Sequence, residues 1–318
     1  MRPARHLSLT FPALVVVAGP TATGKSGLAI ELALAARELG RPAEIISADS
    51  RQVYRGMDIG TAKTPSVERE GVPHHGLDLV DPDEAFSVAD FARHASQVLG
   101  DLAARDPEAI AILVGGTGLY LRAVARDLDT GALPADPGVR AGVEAGLERA
   151  GLRRAVERLT SIAPRLAVKT DLKNPRRVAR ALEIALLAGD VDRPTPGAYG
   201  GRLCWLGLTL DPPTNREWIA KRARNQFEAG LLEEARDLRD RYGAESRSFS
   251  AFGYREAFAV LDGRLELQAA IDEDVRRTVA FAKRQRTWFR SERSIDWIDA
   301  AADPLNAALP RLRAFLDA

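Results

Sequence analysis

The chain has 318 residues, 46% of them hydrophobic, and a formal net charge of only +1. A chain of this size and composition is expected to form one large or two modest domains with a substantial buried core. Its single cysteine, Cys204, excludes a disulfide framework and a cysteine-based zinc site. We find neither a signal peptide nor an apolar run long enough to span a membrane, and we therefore expect a cytoplasmic location.

Charge is distributed unevenly along the chain. Residues 1–130 contain 13 lysines and arginines against 17 aspartates and glutamates, whereas the remainder contains 32 against 27. The basic excess of the later part is compatible with a polyanion that docks on one side of the molecule. Solvated helix faces would account for the same charges, so the charge count leaves both explanations open.

The first predicted elements are a buried strand, Leu14–Ala18, and a helix, Gly27–Leu39. The residues between them fit the phosphate-loop pattern G-x-x-x-x-G-K-[ST], with Gly19, Pro20, Thr21, Ala22, Thr23, Gly24, Lys25 and Ser26. Such a loop turns successive backbone N–H groups toward one anion, and the helix N-terminus adds its positive end. In this pattern Lys25 reaches the terminal phosphates and Ser26 holds Mg²⁺. The motif predicts a bound phosphate ester without saying which one.

The next predicted strands are Glu44–Ala48 and Ile110–Val114, alternating with a helix over Val88–Ala104 and another from Gly118. This alternation predicts an α/β fold with a P-loop NTPase-like parallel sheet. Asp49 directly follows the second strand, and ligands of such sheets bind at the carboxyl ends of strands. Asp49 is therefore a candidate general base or magnesium ligand, with a helix N-cap as the structural alternative.

The third strand is followed by Gly115-Gly116-Thr117-Gly118 rather than by an aspartate. Motor ATPases need an acidic Mg²⁺ ligand there, so this segment argues against an ATP-hydrolysing motor. Thr117 offers a hydroxyl beside backbone that can approach a ligand closely. For the adjacent histidines His74 and His75 we expect a structural role, because no third or fourth metal ligand accompanies them.

The strands stop between Thr130 and Pro196, where the pattern predicts helices over Pro137–Ala150, Leu152–Ser161 and Asn174–Ala188. We therefore expect residues 130–196 to be a helical insertion in a core made of residues 1–129 and 197–318. A strand over Leu203–Leu210 follows, and the rest is expected to be mostly helical.

Two later segments are rich in arginine. One is a predicted amphipathic helix over Asn215–Tyr242, which has Arg216, Lys221, Arg222 and Arg224 near its start; the other is Thr278–Arg290. Arginine binds phosphate oxygens bidentately, and aromatic rings stack on exposed bases, which makes Trp288 and Phe289 candidate base contacts. Burial in the core is the alternative for these two rings.

Together, nine segments resemble the tRNA dimethylallyltransferase (tRNA isopentenyltransferase) family along nearly the whole chain. The phosphate loop is shared with many families, whereas the other blocks in this order are highly specific. The matching blocks are Gly19–Ser26, Asp49–Lys63, Pro73–His75 with Asp81–Glu84 and Phe86–Phe91, Gly115–Tyr120, Arg177–Glu183, Phe252–Glu256 and Lys283–Arg290.

The resemblance implies transfer of a dimethylallyl group from dimethylallyl diphosphate to N6 of adenine-37 in the anticodon arm of tRNA. We expect the enzyme to be a monomer. The phosphate loop then holds a diphosphate, with Mg²⁺ near Ser26. By motif, Asp49 matches the general base, Thr117 the second catalytic hydroxyl and Arg222 the arginine that grips the diphosphate; Lys25 completes the catalytic set. The implied tRNA contacts are Asp49, Ser50, Arg51, Gln52, Thr117, Arg140, Arg176, Arg177, Arg180, Ser250, Gly253, Tyr254, Arg255, Lys283, Arg284, Gln285, Arg286, Trp288 and Arg290.

The chain departs from the family pattern at Trp218 and Val279, where arginine is common. Two other functions remain open from the residues alone. A small-molecule kinase on the same loop would bind ATP in preference to dimethylallyl diphosphate, and a non-catalytic RNA-binding protein would show no turnover.

Overall fold

The structure is a computed structural model that describes residues 11–192 and 194–317. The first ten residues and the last residue of the expected core, and Arg193 of the expected insertion, lie outside it. The strands of the described part are β1 (Ala13–Ala18), β2 (Ala43–Ser47), β3 (His74–His75), β4 (Ile110–Gly115), β5 (Leu203–Thr209) and β6 (Asp296–Asp299). The helices there are α1 (Lys25–Glu38), α2 (Val88–Arg105), α3 (Gly118–Ala125), α4 (Pro137–Ile162), α5 (Pro164–Val168), α6 (Pro175–Ala188), α7 (Pro212–Glu228), α8 (Leu231–Tyr242), α9 (Tyr254–Leu261), α10 (Leu267–Phe289) and α11 (Pro304–Asp317).

The described strands form one parallel sheet in the order β3-β2-β4-β1-β5-β6. Successive residues of a strand point to opposite faces, and β1 shows this directly. Val15 and Val17 belong to a core with α1 and α11, whereas Leu14 and Val16 belong to a second core with α2 and α3. Apolar packing therefore covers both faces of the sheet, and the α/β fold with a P-loop NTPase-like core is confirmed.

A third core lies under the C-terminal helices. Residues of α7, α8, α9 and α10 pack around Val53 and Met57, which belong to the segment that follows β2. Packing thus brings the C-terminal helices onto the chain just beyond Asp49.

The prediction of one helix over Asn215–Tyr242 is wrong, because the chain breaks between α7 and α8. Gly230 has φ 104°, a left-handed conformation that only glycine adopts readily and that cannot continue a helix. The part after Leu210 is mostly helical, as expected, and it also contains β6, which pairs with β5 through Leu208 and Ile298. The segment is short and carries charged residues at both ends, so its pattern gives little strand signal.

Residues 128–197 form a compact unit of their own. Helix α4 is interrupted at Gly151 (φ 78°, ψ 166°), in agreement with the prediction of two separate helices on either side of this residue. Helix α6 begins after Asn174, whose side chain accepts from the N–H groups of Arg176 and Arg177, and it ends at Gly189 as predicted. Apolar residues of α4, α5 and α6 make up the core of this unit.

Across residues 11–192 and 194–317, every helix is too short or too polar to cross a membrane.

Candidate active site

The phosphate loop lies at the carboxyl end of β1, the third strand from one edge of the sheet and the fourth from the β3 edge. Its backbone takes left-handed φ angles at Ala22 and Gly24, and α1 begins at Lys25. The first-turn N–H groups of α1 therefore face the loop without partners inside the helix. The Lys25 ammonium donates to the carbonyl of Pro20 at 2.6 Å, and the Thr23 hydroxyl donates to the same carbonyl at 2.9 Å.

Helix α7 braces the phosphate loop from the C-terminal half of the chain. The Arg222 guanidinium donates from Nη1 to Thr21 Oγ1 at 2.8 Å. The Asn215 amide donates to the Thr21 carbonyl at 3.1 Å and accepts from Arg286 of α10 at 2.9 Å. Arg222 therefore contacts the phosphate loop directly.

Gln285 of α10 joins the phosphate loop to the segment after β4. Its Oε1 accepts from the N–H of Thr21 at 2.8 Å, and its Nε2 donates to the Gly116 carbonyl at 2.9 Å. A Cβ on Gly116 would lie 2.3 Å from that Nε2, and a Cβ on Gly118 would lie 2.3 Å from the Trp288 ring. Helix α10 therefore packs directly against the backbone of these two glycines.

Asp49 and Thr117 lie at the ends of neighbouring strands and are linked through Ser50. Thr117 Oγ1 accepts from the N–H of Ser50 at 3.1 Å, and Asp49 Oδ1 accepts from the N–H of Arg51 at 2.8 Å. The carboxylate is thus oriented by its own turn, which resembles the structural alternative considered for it. Its position at the sheet edge still directs it toward the phosphate loop.

Electrostatic coupling places Asp49, Lys25 and Arg222 in one site. Burial and, to a smaller extent, the neighbouring charge of Arg222 lower the pKa of Lys25 to about 8, although the charge of Asp49 opposes both. Burial also lowers the pKa of Arg222, with Asp274 and Asp49 acting against it. Two desolvated cations close to each other and to one carboxylate are arranged to receive an anion.

Asn215 and Asp274 belong to this site, but the sequence analysis did not select them. Asn215 lies seven residues before Arg222 and therefore on the same helix face, which is the signal that could have revealed it. Asp274 is buried, and burial together with the charge of Glu256 raises its pKa to about 6, against the opposing charge of Arg222. No local motif marks Asp274, because its surroundings arise from helix packing.

The predicted tRNA contacts divide into exposed residues and residues with internal partners. The Tyr254 ring is fully buried and its hydroxyl donates to Glu234, while both polar atoms of Gln285 bind the loops described above. For these two side chains we therefore expect a role in positioning neighbouring residues and not a direct contact with tRNA. The exposed candidates in the described part outside residues 128–197 are Ser250, Arg255, Lys283, Arg284 and Arg290.

Partners inside the protein also occupy several other candidates. Arg51 donates to the carbonyl of Ser248 at 3.2 Å and to the Ser250 hydroxyl at 3.0 Å. Gly253 is buried at the start of α9, and the half-buried Trp288 has Arg122 over its ring at 4.4 Å. Phe289 is fully buried, so the alternative of a core role is confirmed for this ring.

In the unit of residues 128–197, two of the candidate arginines are bound to a buried carboxylate and two are exposed. Arg140 and Arg180 both bind Glu183, which is almost fully buried. Burial would raise the pKa of Glu183, but the hydrogen bonds from these arginines outweigh it and hold the pKa below its ordinary value. Arg176 and Arg177 are exposed, and Arg177 lies 3.6 Å from Asp171.

The described residues contain no group of three or more His, Cys, Asp and Glu side chains placed to hold a metal ion. His75 instead pairs with Glu44 at 2.7 Å, and His74 bonds to the carbonyl of Val72 at 2.8 Å, which are structural contacts. Mg²⁺ in phosphate sites needs only one or two protein oxygens, since substrate phosphates and water supply the rest. The exposed Ser26 hydroxyl in the first turn of α1 fits that requirement.

A phosphate loop on a parallel sheet, with two cations and a carboxylate around it, defines an enzyme of the P-loop class that acts on a phosphate ester. A family model described as IPP transferase matches residues 52–292. The chain is 40% identical to the tRNA dimethylallyltransferase of Halalkalibacterium halodurans over 293 residues, which is 90% of each chain. It is 41% identical to that of Thermobifida fusca, covering 92% of this chain and 91% of the relative.

Solved structures agree with these relatives. The full-length tRNA isopentenylpyrophosphate transferase of Bacillus halodurans matches with a TM-score of 0.70 at 38% identity, over 96% of this chain and 97% of that one. A eukaryotic dimethylallyltransferase described as acting on tRNA matches with a TM-score of 0.74 at 25% identity, over 95% of this chain and 78% of that one. The chain belongs to the IPP transferase family of tRNA prenyltransferases, and the resemblance seen in its sequence is confirmed.

Proposed function

We propose that this enzyme transfers the dimethylallyl group of dimethylallyl diphosphate to N6 of adenine-37 in tRNA and releases diphosphate. The observation that carries the proposal is the meeting of Asp49 with Lys25 and Arg222 in one site. A carboxylate and an anion-binding pair are the two parts that an alkyl transfer from a diphosphate to an amine requires.

The reaction replaces the carbon–oxygen bond of the donor by a carbon–nitrogen bond and moves one proton. The N6 nitrogen attacks the allylic carbon, and the bond between that carbon and the diphosphate oxygen breaks, so the electron pair leaves with the diphosphate. Lys25 and Arg222 stabilise the charge that develops on the leaving oxygen. Asp49 accepts the proton that N6 loses, and Thr117 positions the amine beside it.

We assign Mg²⁺ binding to Ser26 together with oxygens of the diphosphate. The ion would supply further positive charge to the leaving group. Lys25 and Arg222 act on the same oxygens from the protein side, which is why both are required in the proposed mechanism.

For tRNA binding we propose that the anticodon arm is gripped through its backbone and shape, as is usual for RNA. The exposed candidates Arg255, Lys283, Arg284 and Arg290, with Arg176 and Arg177 of residues 128–197, supply the charge. Adenine-37 must leave the anticodon stack to reach Asp49, which costs a few kcal/mol by analogy with base flipping. We propose a monomer, for which Asp49, Thr117, Lys25 and Arg222 of one chain would be a sufficient catalytic set. We also place the enzyme in the cytoplasm, where its tRNA substrate is found.

The kinase alternative is not favoured by the relatives, which are tRNA prenyltransferases. The test is direct: the enzyme is mixed with labelled dimethylallyl diphosphate and unmodified tRNA that carries adenine 3′ of the anticodon. We expect label in the tRNA, and none when position 37 is changed to guanine. Label transfer from ATP to a small acceptor, without transfer to tRNA, would contradict the proposal.

A further inference from the structure

Glu234 on α8 holds the backbone of a loop that follows Asp49 in the chain. Its Oε2 accepts from the N–H groups of Ile59 at 2.7 Å and Asp58 at 3.1 Å, and its Oε1 accepts from that of Gly60 at 3.1 Å. The buried Tyr254 hydroxyl donates to the same Oε1 at 2.6 Å. One carboxylate therefore binds three consecutive N–H groups, a concentration of charge-assisted bonds that a structural surface ion pair does not have.

The same loop is held from its carbonyl side by α7. Gln226 Nε2 donates to the carbonyls of Ile59 at 2.6 Å and Gly60 at 3.0 Å. Gln226 lies one helical turn after Arg222, which binds the phosphate loop. Helix α7 thus fixes this loop relative to the phosphate site.

Close packing leaves the loop little freedom to move as a unit. A Cβ on Gly60 would lie 2.4 Å from the Tyr254 ring, so the ring is in contact with the loop backbone. The following carbonyls, those of Thr61 and Ala62, each accept from Gln52 Nε2 at 3.2 Å. The other side of that amide, Gln52 Oε1, accepts from the Ser47 hydroxyl at 2.8 Å.

These contacts form a chain from Glu234 to Gln52, which lies three residues beyond Asp49. We propose that Glu234 is a positioning residue: through residues 58–62 and the Gln52 side chain it fixes the turn that carries Asp49 at the position where Asp49 meets the target adenine. This inference rests on the proposed function, in which Asp49 accepts the proton of the target adenine. Glu234 itself touches no substrate in this account.

The test compares Glu234→Gln with Glu233→Gln, the exposed neighbour on the same helix, and uses hydrogen exchange and single-turnover kinetics with unmodified tRNA. A glutamine keeps one acceptor oxygen but turns an NH₂ group toward N–H donors. We expect amide exchange at residues 58–60 to rise at least about tenfold, the factor that corresponds to about 1.4 kcal/mol. We expect the single-turnover rate to fall about tenfold while the donor KM stays within about twofold.

A double-mutant cycle with Gln52→Ala tests whether Glu234 acts through Gln52. If it does, adding Glu234→Gln to Gln52→Ala lowers the rate by less than about twofold further. An equal loss in both backgrounds, or an unchanged rate for Glu234→Gln despite faster exchange, would overturn the inference. Tyr254→Phe removes one donor only and should give the same pattern with smaller effects, which keeps the test informative if Glu234→Gln folds poorly.

The outcomes separate this inference from the proposed function. Absence of prenyl transfer by the wild-type enzyme would contradict the proposed function. Hydrogen exchange at residues 58–60 would still show whether Glu234 stabilises the backbone of this loop. Full turnover by Gln52→Ala overturns the positioning role while leaving prenyl transfer itself intact.

Discussion

Replacing Arg222 by alanine should weaken binding of the donor, dimethylallyl diphosphate, far more than binding of tRNA. Arg222 is half-buried, donates to Thr21 of the phosphate loop at 2.8 Å and faces the site that Lys25 also faces. A hydrogen bond to a charged group contributes about 1.5–3 kcal/mol, so the donor Kd should rise about 12- to 150-fold. The tRNA Kd should stay within about threefold, because Arg222 contacts the phosphate loop and is not among the residues proposed to bind the tRNA.

The pH dependence of this effect follows from Lys25, whose pKa is about 8. Binding of an anion favours the charged form of Lys25, so wild-type donor affinity should fall as the pH rises through about 8. Without Arg222, the neighbouring charge that lowers the pKa of Lys25 is gone, and Lys25 stays charged to higher pH. The loss caused by Arg222→Ala should therefore be largest near pH 7 and smaller near pH 9.

Isothermal titration of the donor at several pH values, with Lys221→Ala as control, measures both effects. Lys221 is the exposed neighbour on α7 and carries the same charge. A donor Kd for Arg222→Ala within twofold of wild type, or equal weakening by both variants, would refute the assignment of Arg222 to the diphosphate.

Three further predictions address the base, the tRNA grip and a buried carboxyl. Asp49→Asn keeps the acceptor for the Arg51 N–H but removes the base, so single-turnover rates should fall about 10²-fold or more with tRNA affinity nearly unchanged. Arg176→Ala/Arg177→Ala should weaken tRNA binding and make log K for tRNA less dependent on log salt concentration, while the affinity for the donor stays constant. The pKa of Asp274 is raised to about 6, so wild-type stability should fall as the pH rises from about 4 to about 6; Asp274→Asn should remove this dependence and raise the free energy of unfolding at pH 8 by about 1–3 kcal/mol.

The controls for these three differ. Near-wild-type single-turnover rates for Asp49→Asn would exclude it as the base. For the arginine pair, the control Arg153→Ala/Arg154→Ala removes the same charge from exposed positions of the same unit. If this control changes the salt slope equally, tRNA binding depends on the overall charge of the unit and not on a specific contact with Arg176 and Arg177. For Asp274→Asn, urea unfolding that keeps the wild-type dependence between about pH 4 and 6 would show that another group titrates.

Local sequence patterns are enough to predict the catalytic strands and their loops. The phosphate loop, Asp49 and Thr117 each follow a buried strand within two residues, and parallel strands bring their carboxyl ends to one edge. These relations depend on short-range backbone geometry, so they can be worked out before any tertiary contact is known. The family resemblance supplied Arg222 as well, by its spacing from Gly230.

Only the tertiary structure decided how the C-terminal helices use their side chains. Gln285 reaches Thr21 across 264 positions of sequence, and it packs against the backbone of Gly116. A pattern of arginines and aromatic residues shows which side chains are suited to RNA, but the direction each one takes depends on where helices break and pack. The break at Gly230 sets α8 apart from α7 and gives Glu234 its own position, so the residues that hold the site are decided by packing and not by any local motif.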